Sequence, residues 1–432
     1  MKKGFYWIIA TQFLSSFADN ALLIVAIALL KEYSAPSWAT PMLKFTFVVS
    51  YVVLAAFVAT FADSRPKGKV MFITNLIKIA GLLLMLFWVH PLLAYGVVGF
   101  GAAAYSPAKY GILTELLPPE KLVIANGWIE GTTVSSIILG MVIGGVLIEP
   151  SVGEFLVGLH LPGADTAAHA ALWVVLAIYL LATLCNTQIP DTGARYAKPD
   201  WKIVAMLKSF GNSVNVLWHD KLGQISLAIT TLFWGAGATL QFIVLEWAQQ
   251  ALGFTEAQAP RLVGIVAIGI ALGAIAAAAV VPLKKALKVM VLGIVMGAAC
   301  IVLAMIDRHT FSGMTVLGMP LYLVVVCVFL LFVGALAGFF MVPMNALLQH
   351  RGHVRLSAGH SIAVQNFNEN IGILVMLVMY ALLLKLGLSI QTIIVLFGLF
   401  VGGAIYAVML WNKANMRERD WTQLIGEEKV PH

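Results

Sequence analysis

Charge is scarce in this sequence. Only 11% of its 432 residues are Asp, Glu, Lys or Arg, against about 25% in a soluble globular domain. That shortage excludes a water-exposed globular fold. Cysteine is scarce too. Cys185, Cys300 and Cys327 all fall in apolar stretches, and an odd number buried in lipid argues against a disulfide framework. There is no Gly-rich loop ending in Lys-Ser or Lys-Thr, and so no sign of an ATP-driven pump. No nucleophile–base pair is convincing, so the chain does not read as an enzyme. Basic residues outnumber acidic ones to give a net charge of +7. They gather at helix ends with no separate basic cluster, which makes nucleic acid a poor partner.

What the chain has in quantity is apolar residue. Hydrophobic types make up 61% of it and the mean hydropathy is +0.93. The apolar stretches are long enough to cross a hydrocarbon core of roughly 30 Å as helices, the form that satisfies every backbone polar group within one segment. Twelve spans are predicted: 4–30, 42–62, 70–89, 92–114, 122–148, 169–189, 222–247, 260–282, 289–306, 319–348, 358–384 and 389–411. The first is too long for a signal-peptide core and no small-residue cleavage site follows it. The fold class is therefore an all-α membrane protein of twelve transmembrane helices in two six-helix halves.

Lys and Arg set the orientation. With a cytoplasmic N-terminus, the inside segments hold twenty basic residues, Lys2, Lys198 and Lys429 among them. The outside holds five: Lys31, Lys44, Arg261, Arg308 and Lys385. Both termini are thus expected in the cytoplasm. The organisation follows as an N-terminal half at 1–189, a linker at 190–221, a C-terminal half at 222–411 and a cytoplasmic tail at 412–432. The linker contains an amphipathic run, Trp201 to Trp218. It reads equally well as an interfacial helix or as a plain connection. The halves resemble each other weakly. Basic loops follow helices two and eight, "DSRPKGK" and "PLKKALK", and Pro107 and Pro343 hold corresponding places in helices four and ten. Repeated halves with interrupted helices are a transporter signature.

Polar residues inside the spans are the candidate functional groups, because a charge at a helix centre costs about 2.5–3.5 kcal/mol on insertion scales. Asp19, in "FLSSFADNALL", is the only charge between Lys3 and Lys31. It lies roughly 22 Å along the first helix at 1.5 Å per residue, too deep for a short side chain to reach water. Lys109, beside Tyr110 and after the small-residue run "GFGAAAYS", faces a cavity or snorkels to the surface. Lys78 in the third helix reads at least as well as a structural pair. Glu130 lies in the fifth helix. Asn366, Asn368, Glu369 and Asn370 crowd the eleventh, where so dense a polar run cannot all face lipid. Gln241 lies among glycines in the seventh. His350, His353 and His360 are spaced so as to permit a metal site, but they read far better as a solvated basic rim. No metal is expected.

"DSRPKGK" looks like a degenerate form of the loop that major facilitator transporters carry between helices two and three, with Ala59 for the first glycine, Ser64 for a basic residue and Gly68 displaced. A sharper set spans the chain: "QFLSSFADNALL", "GAAAYSPAKYGILTELL", "KLVIANGWIE", "LFWGAGATLQF", "MVPMNALLQHRG" and "AVQNFNEN". It resembles the bacterial lysophospholipid transporters of the major facilitator superfamily. The resemblance implies the major facilitator fold in the bacterial inner membrane. It implies flipping of lysophosphatidylethanolamine and lysophosphatidylglycerol from the outer to the inner leaflet, with an acyltransferase/acyl-ACP synthetase as partner; a monomer is the expected working unit. Gln241 stands where that family leads one to expect a basic residue.

The substrate chemistry distributes the residues. Phosphate wants a cationic donor, which points to Lys109. Ethanolamine wants an acceptor, which points to Asp19 with Asn20, or to Glu369. Asp19 and Asn20 would equally suit a coupling cation, Na+ or H+. Asp63 ends the second helix, and the eleventh begins near Ser357 with a partial positive charge of about half a unit at its N-terminus. Those two ends form a candidate cytoplasmic gate, to which Arg351 or Arg355 is expected to add. The competing functions are a proton-coupled exporter of amphipathic drugs and a non-transporting scaffold for the acyltransferase. The deep charges count against the scaffold.

Overall fold

The computed structural model describes residues 3–35, 39–196, 200–254, 259–316 and 318–426. Lys2, Lys198 and Lys429 lie outside the described residues, as does the rest of the tail at 427–432. In chain order the helices are α1 (Lys3–Glu32), α2 (Ala39–Val53), α3 (Ala55–Asp63), α4 (Lys67–Leu86), α5 (Pro91–Leu116), α6 (Leu122–Leu147), α7 (Pro150–Val157) and α8 (Ala167–Asn186). Then follow α9 (Ile203–His219), α10 (Gly223–Gln250), α11 (Pro260–Val280), α12 (Met290–Ala304), α13 (Leu321–Arg355), α14 (Ala358–Lys385) and α15 (Ile390–Glu418). One short ribbon, Thr315–Val316 with Met319–Pro320, precedes α13.

Among the described residues ten helices are long and apolar enough to cross a membrane, or eleven when α2 and α3 count as one broken span. The sequence predicts twelve. The difference is α5, which at 26 residues has the length. Its aliphatic content is diluted by four glycines, three tyrosines, Lys109 and Glu115. The predicted span 42–62 is bent by 64° between α2 and α3, and no proline or glycine lies there. The Thr46 hydroxyl donates to the Leu43 carbonyl and the Ser50 hydroxyl to the Thr46 carbonyl. The amphipathic run in the linker is α9, with Phe210 and Leu217 buried and Ile203, Val204 and Leu207 exposed.

The described residues form two compact units. The first comprises Met1–Leu117, Ser135–Val216 and Arg355–Phe367. Ala18, Leu22 and Val25 of α1 pack there with Leu82 of α4, Val98 of α5 and Leu172 and Val175 of α8. The run "GFGAAAYS" serves close packing. A Cβ on Gly101 would sit 2.9 Å from the Thr74 carbonyl and 2.7 Å from Lys78 Cγ.

The second unit comprises Pro118–Val134, Leu217–Val354 and Asn368–His432. It joins α11 and α13 through matched small residues. Gly269 and Gly273 face the carbonyls of Leu331 and Ala335, while Gly334 and Gly338 face those of Val266 and Ile270. Glycines four apart on both helices let the backbones touch, where lipid supplies no hydrophobic drive.

Candidate functional site

Asp19 is not alone in the bilayer. Its Oδ2 accepts from Lys78 Nζ at 2.7 Å and its Oδ1 from the Tyr179 hydroxyl at 2.6 Å. Lys78 also donates to Ser15 Oγ at 2.9 Å, and Ser15 in turn donates to Asn75 Oδ1 at 2.8 Å. The local reason is helical spacing: Ser15 and Asp19 are one turn apart on α1, Asn75 and Lys78 one turn apart on α4, so each pair shares a face. The Tyr95 hydroxyl reaches the Asp19 backbone carbonyl, and the Tyr105 ring lies 4.8 Å from the Lys78 ammonium. The Lys78 side chain is 2% exposed and that of Asp19 14%, so one edge of the carboxylate stays open. Asn20 turns its amide back to the Ser16 carbonyl at 2.8 Å.

A second polar cluster lies in the other unit. Asn126 and Gln349 exchange amide hydrogen bonds in both directions at 2.9 Å. Asn345 donates to Asn126 Oδ1 and to Glu130 Oε1, both at 3.3 Å. All four side chains are buried. Asn126 and Glu130 on α6, and Asn345 and Gln349 on α13, repeat the one-turn spacing, so two polar faces meet.

The third cluster closes the first turn of α14. Ser357 caps that turn, its hydroxyl oxygen accepting from the His360 amide. The Asp63 carboxylate accepts from the amides of Gly359 at 2.9 Å and His360 at 3.2 Å, and from the Ser357 hydroxyl. His360 Nδ1 lies 2.7 Å from Asp63 Oδ2. This is an acid set against a helix N-terminus, where backbone donors and the dipole both favour negative charge. Buried Lys67 donates to Asp63 Oδ1 at 2.6 Å and lies 3.8 Å from Glu115. Glu115 also accepts from Thr192 at 2.7 Å and Tyr196 at 2.8 Å, so the start of the linker is tied to the same place. Burial pushes the Tyr196 phenol up, and the neighbouring Glu115 carboxylate adds to the rise. Tyr196 therefore stays a donor.

The remaining predicted residues are dispersed. Lys109 Nζ lies 4.3 Å from the Tyr110 ring, half-buried. Asn366 donates to Ser106 at 2.9 Å, while Glu369 is buried and Asn370 half-buried. Gln241 is exposed on α10. The structure brings Arg351 to Asp220 at 2.7 Å and to the Leu424 carbonyl, and leaves Arg355 exposed. The histidines do not form the solvated rim that the sequence suggests. His350 is buried and accepts from the Gly426 amide, and His360 joins Asp63. No group of three metal-ligating side chains occurs among the described residues. The sequence reading of Lys78 as a structural pair fits its ion pair with Asp19, while Asn126, Asn345 and Gln349 were missed. The available signal was their spacing four residues apart, or from Glu130.

Residues 8–377 match the model of the Major Facilitator Superfamily. The chain belongs to that superfamily. Two curated relatives are named lysophospholipid transporter LplT. The one from Yersinia enterocolitica is 42% identical over 392 residues, covering 90% of this chain and 89% of the relative. That from Enterobacter sp. strain 638 is 40% identical over 412 residues, covering 95% and 96%. The fold of this major facilitator is also that of the E. coli fucose:proton symporter, with a TM-score of 0.71 at 13% identity over 95% of this chain and 98% of the symporter. A bacterial homologue of the iron transporter ferroportin gives 0.66 at 11% identity, over 96% and 100%. At such identities these two structures speak for the fold alone.

Proposed function

We propose that this major facilitator is a lysophospholipid transporter rather than an enzyme. It moves lysophosphatidylethanolamine and lysophosphatidylglycerol from the outer to the inner leaflet of the bacterial inner membrane by alternating access, with both termini cytoplasmic. The observation that carries the reading is the 42% identity, across nine-tenths of both chains, to a protein bearing that name. The buried charges suit it. A lysophospholipid offers a phosphate and often an ammonium. Lys109 with Tyr110 is assigned to the phosphate, Asp19 with Asn20 or Glu369 to the ammonium. Glu130, Gln241, Asn366 and Asn370 are the further polar contacts proposed along the path. Asp19 is equally suited to a coupling cation, Na+ or H+. An acyltransferase/acyl-ACP synthetase is the proposed consumer of the product, the chain working as a monomer. Asp63 is assigned to the cytoplasmic gate, with Arg351 and Arg355 in support through α13.

Uptake of labelled lysophospholipid into right-side-out and inverted vesicles tests the proposal. Lipid movement with the expected sidedness supports it. Export of amphipathic dyes with no lipid movement replaces it by the proton-coupled drug exporter.

A further inference from the structure

We infer that Asp19 and Lys78 form a resident ion pair that a zwitterionic headgroup replaces charge for charge, so that the headgroup decides whether a cation must travel with the lipid. The inference rests on the lysophospholipid reading and assigns Lys78 a substrate contact in addition to Lys109.

Three observations carry it. First, the ligand-free pair is internally neutral: one carboxylate and one ammonium meet at 2.7 Å, with the carboxylate edge open and the ammonium sealed. Second, the chain goes to lengths to seat that lysine. Gly101 keeps its place free, Ser15 takes a second proton of the ammonium, and the Tyr105 ring lies beneath it. Third, donors around the pair are unspent. Asn75 Nδ2 and the Tyr105 hydroxyl are buried with no hydrogen-bond partner among the described residues. Asn75 is bonded to Ser15 through its oxygen only, and Tyr105 meets Lys78 through its ring face. Buried donors without acceptors are rare and call for an explanation. Phosphate oxygens, which accept and never donate when ionised, are the complement to two free donors beside a lysine.

The charge balance then depends on the lipid. Phosphoethanolamine carries one negative and one positive charge. Its ammonium takes the place of Lys78 at Asp19, its phosphate takes the place of Asp19 at Lys78, and the loaded site stays neutral. Phosphoglycerol carries only the negative charge. Its phosphate satisfies Lys78, and Asp19 is left with the Tyr179 hydrogen bond and a full negative charge in a low-dielectric site. Isolated buried charge is not tolerated there, so Asp19 must bind one monovalent cation, a proton or sodium. Lysophosphatidylglycerol is then carried together with one cation, and lysophosphatidylethanolamine with none.

The test needs no variant in its first arm. The purified full chain is reconstituted in liposomes, and uptake of each labelled lipid is followed with a proton gradient, with a sodium gradient, and with both collapsed. The expected result is loss of lysophosphatidylglycerol uptake on collapse of one gradient and unchanged lysophosphatidylethanolamine uptake. The gradient that matters names the cation. In the second arm Lys78→Gln makes the empty site negative. Lysophosphatidylethanolamine uptake by the variant should then acquire the gradient dependence it lacked. Equal dependence of both lipids in the unaltered protein overturns the inference and leaves the proposed function intact. Gradient-independent lysophosphatidylethanolamine uptake by the variant also overturns it. Failure of the unaltered protein to move either lipid overturns both.

Discussion

At the scale of single residues, the buried pairs dictate which substitutions the protein survives. Removing one partner of a buried ion pair leaves an uncompensated charge, at a cost of about 3–5 kcal/mol. Lys78→Met should destabilise the protein by that order, and Asp19→Asn combined with Lys78→Met should recover most of the loss. Thermal unfolding of the purified variants measures both, and additive losses would show that the two side chains are not coupled. Asn345→Leu should cost about 1–3 kcal/mol, since it removes a buried donor to Asn126 and Glu130. Asp19 was legible in the sequence because a lone charge in an oily run has no other reading. Its partner was not: Lys78 is 59 residues away, and nothing local says whether it or Lys109, the other lysine within a span, reaches it.

At the scale of elements, the first turn of α14 concentrates several hydrogen bonds on one acid, Asp63. Asp63→Ala removes the acceptor for two backbone amides, a contact of about 0.3–1 kcal/mol at a surface and up to about 2 kcal/mol when partly buried. It also takes the Asp63 partner from Lys67, which keeps the Ala62 carbonyl at 2.7 Å and Glu115 at 3.8 Å. The variant should separate the end of α3 from the start of α14 and slow turnover, with headgroup preference unchanged. Spin labels on those two ends report the separation. Gly273→Leu should fail more severely, because the group opposing its Cβ is a backbone carbonyl, which cannot swing aside. Overpacking of this kind costs typically 1–3 kcal/mol, readable as lowered yield and melting temperature. Helix positions were legible from apolar runs, since hydrocarbon thickness fixes their length. The end of α13 was not. It continues to Arg355, beyond the predicted 348, because Asn345 and Gln349 find buried partners and the helix need not stop where its apolar run does. The break between α2 and α3 was invisible because no proline or glycine marks it.

At the scale of the whole molecule, the compact units do not follow the chain's midpoint. The stretch 118–134 belongs with residues after 217, and 355–367 with residues before 216. Each unit therefore needs chain from beyond the linker. Residues 1–189 or 222–432 expressed singly should be protease-sensitive and unstable in detergent, and co-expression should restore a resistant complex. Limited proteolysis of the three preparations decides this. The six-and-six order of helices expected from the sequence does not say which segments pack as one body, because that depends on contacts among residues hundreds apart.

The chain's last turn bears on how another protein could be joined to it. α15 ends at Glu418, yet Trp421, Leu424 and Gly426 remain engaged: the Trp421 indole with the Asn415 carbonyl, the Leu424 carbonyl with Arg351, the Gly426 amide with His350. Ile425 is buried as well. A leash to a fused enzyme or reporter is thus best added after Gly426, and not at the end of the helix. The span such a leash can reach, and with it the local concentration of the tethered partner, must be counted from that point. A leash spliced in at 419 would discard the mooring and leave Arg351 and His350 bare of it.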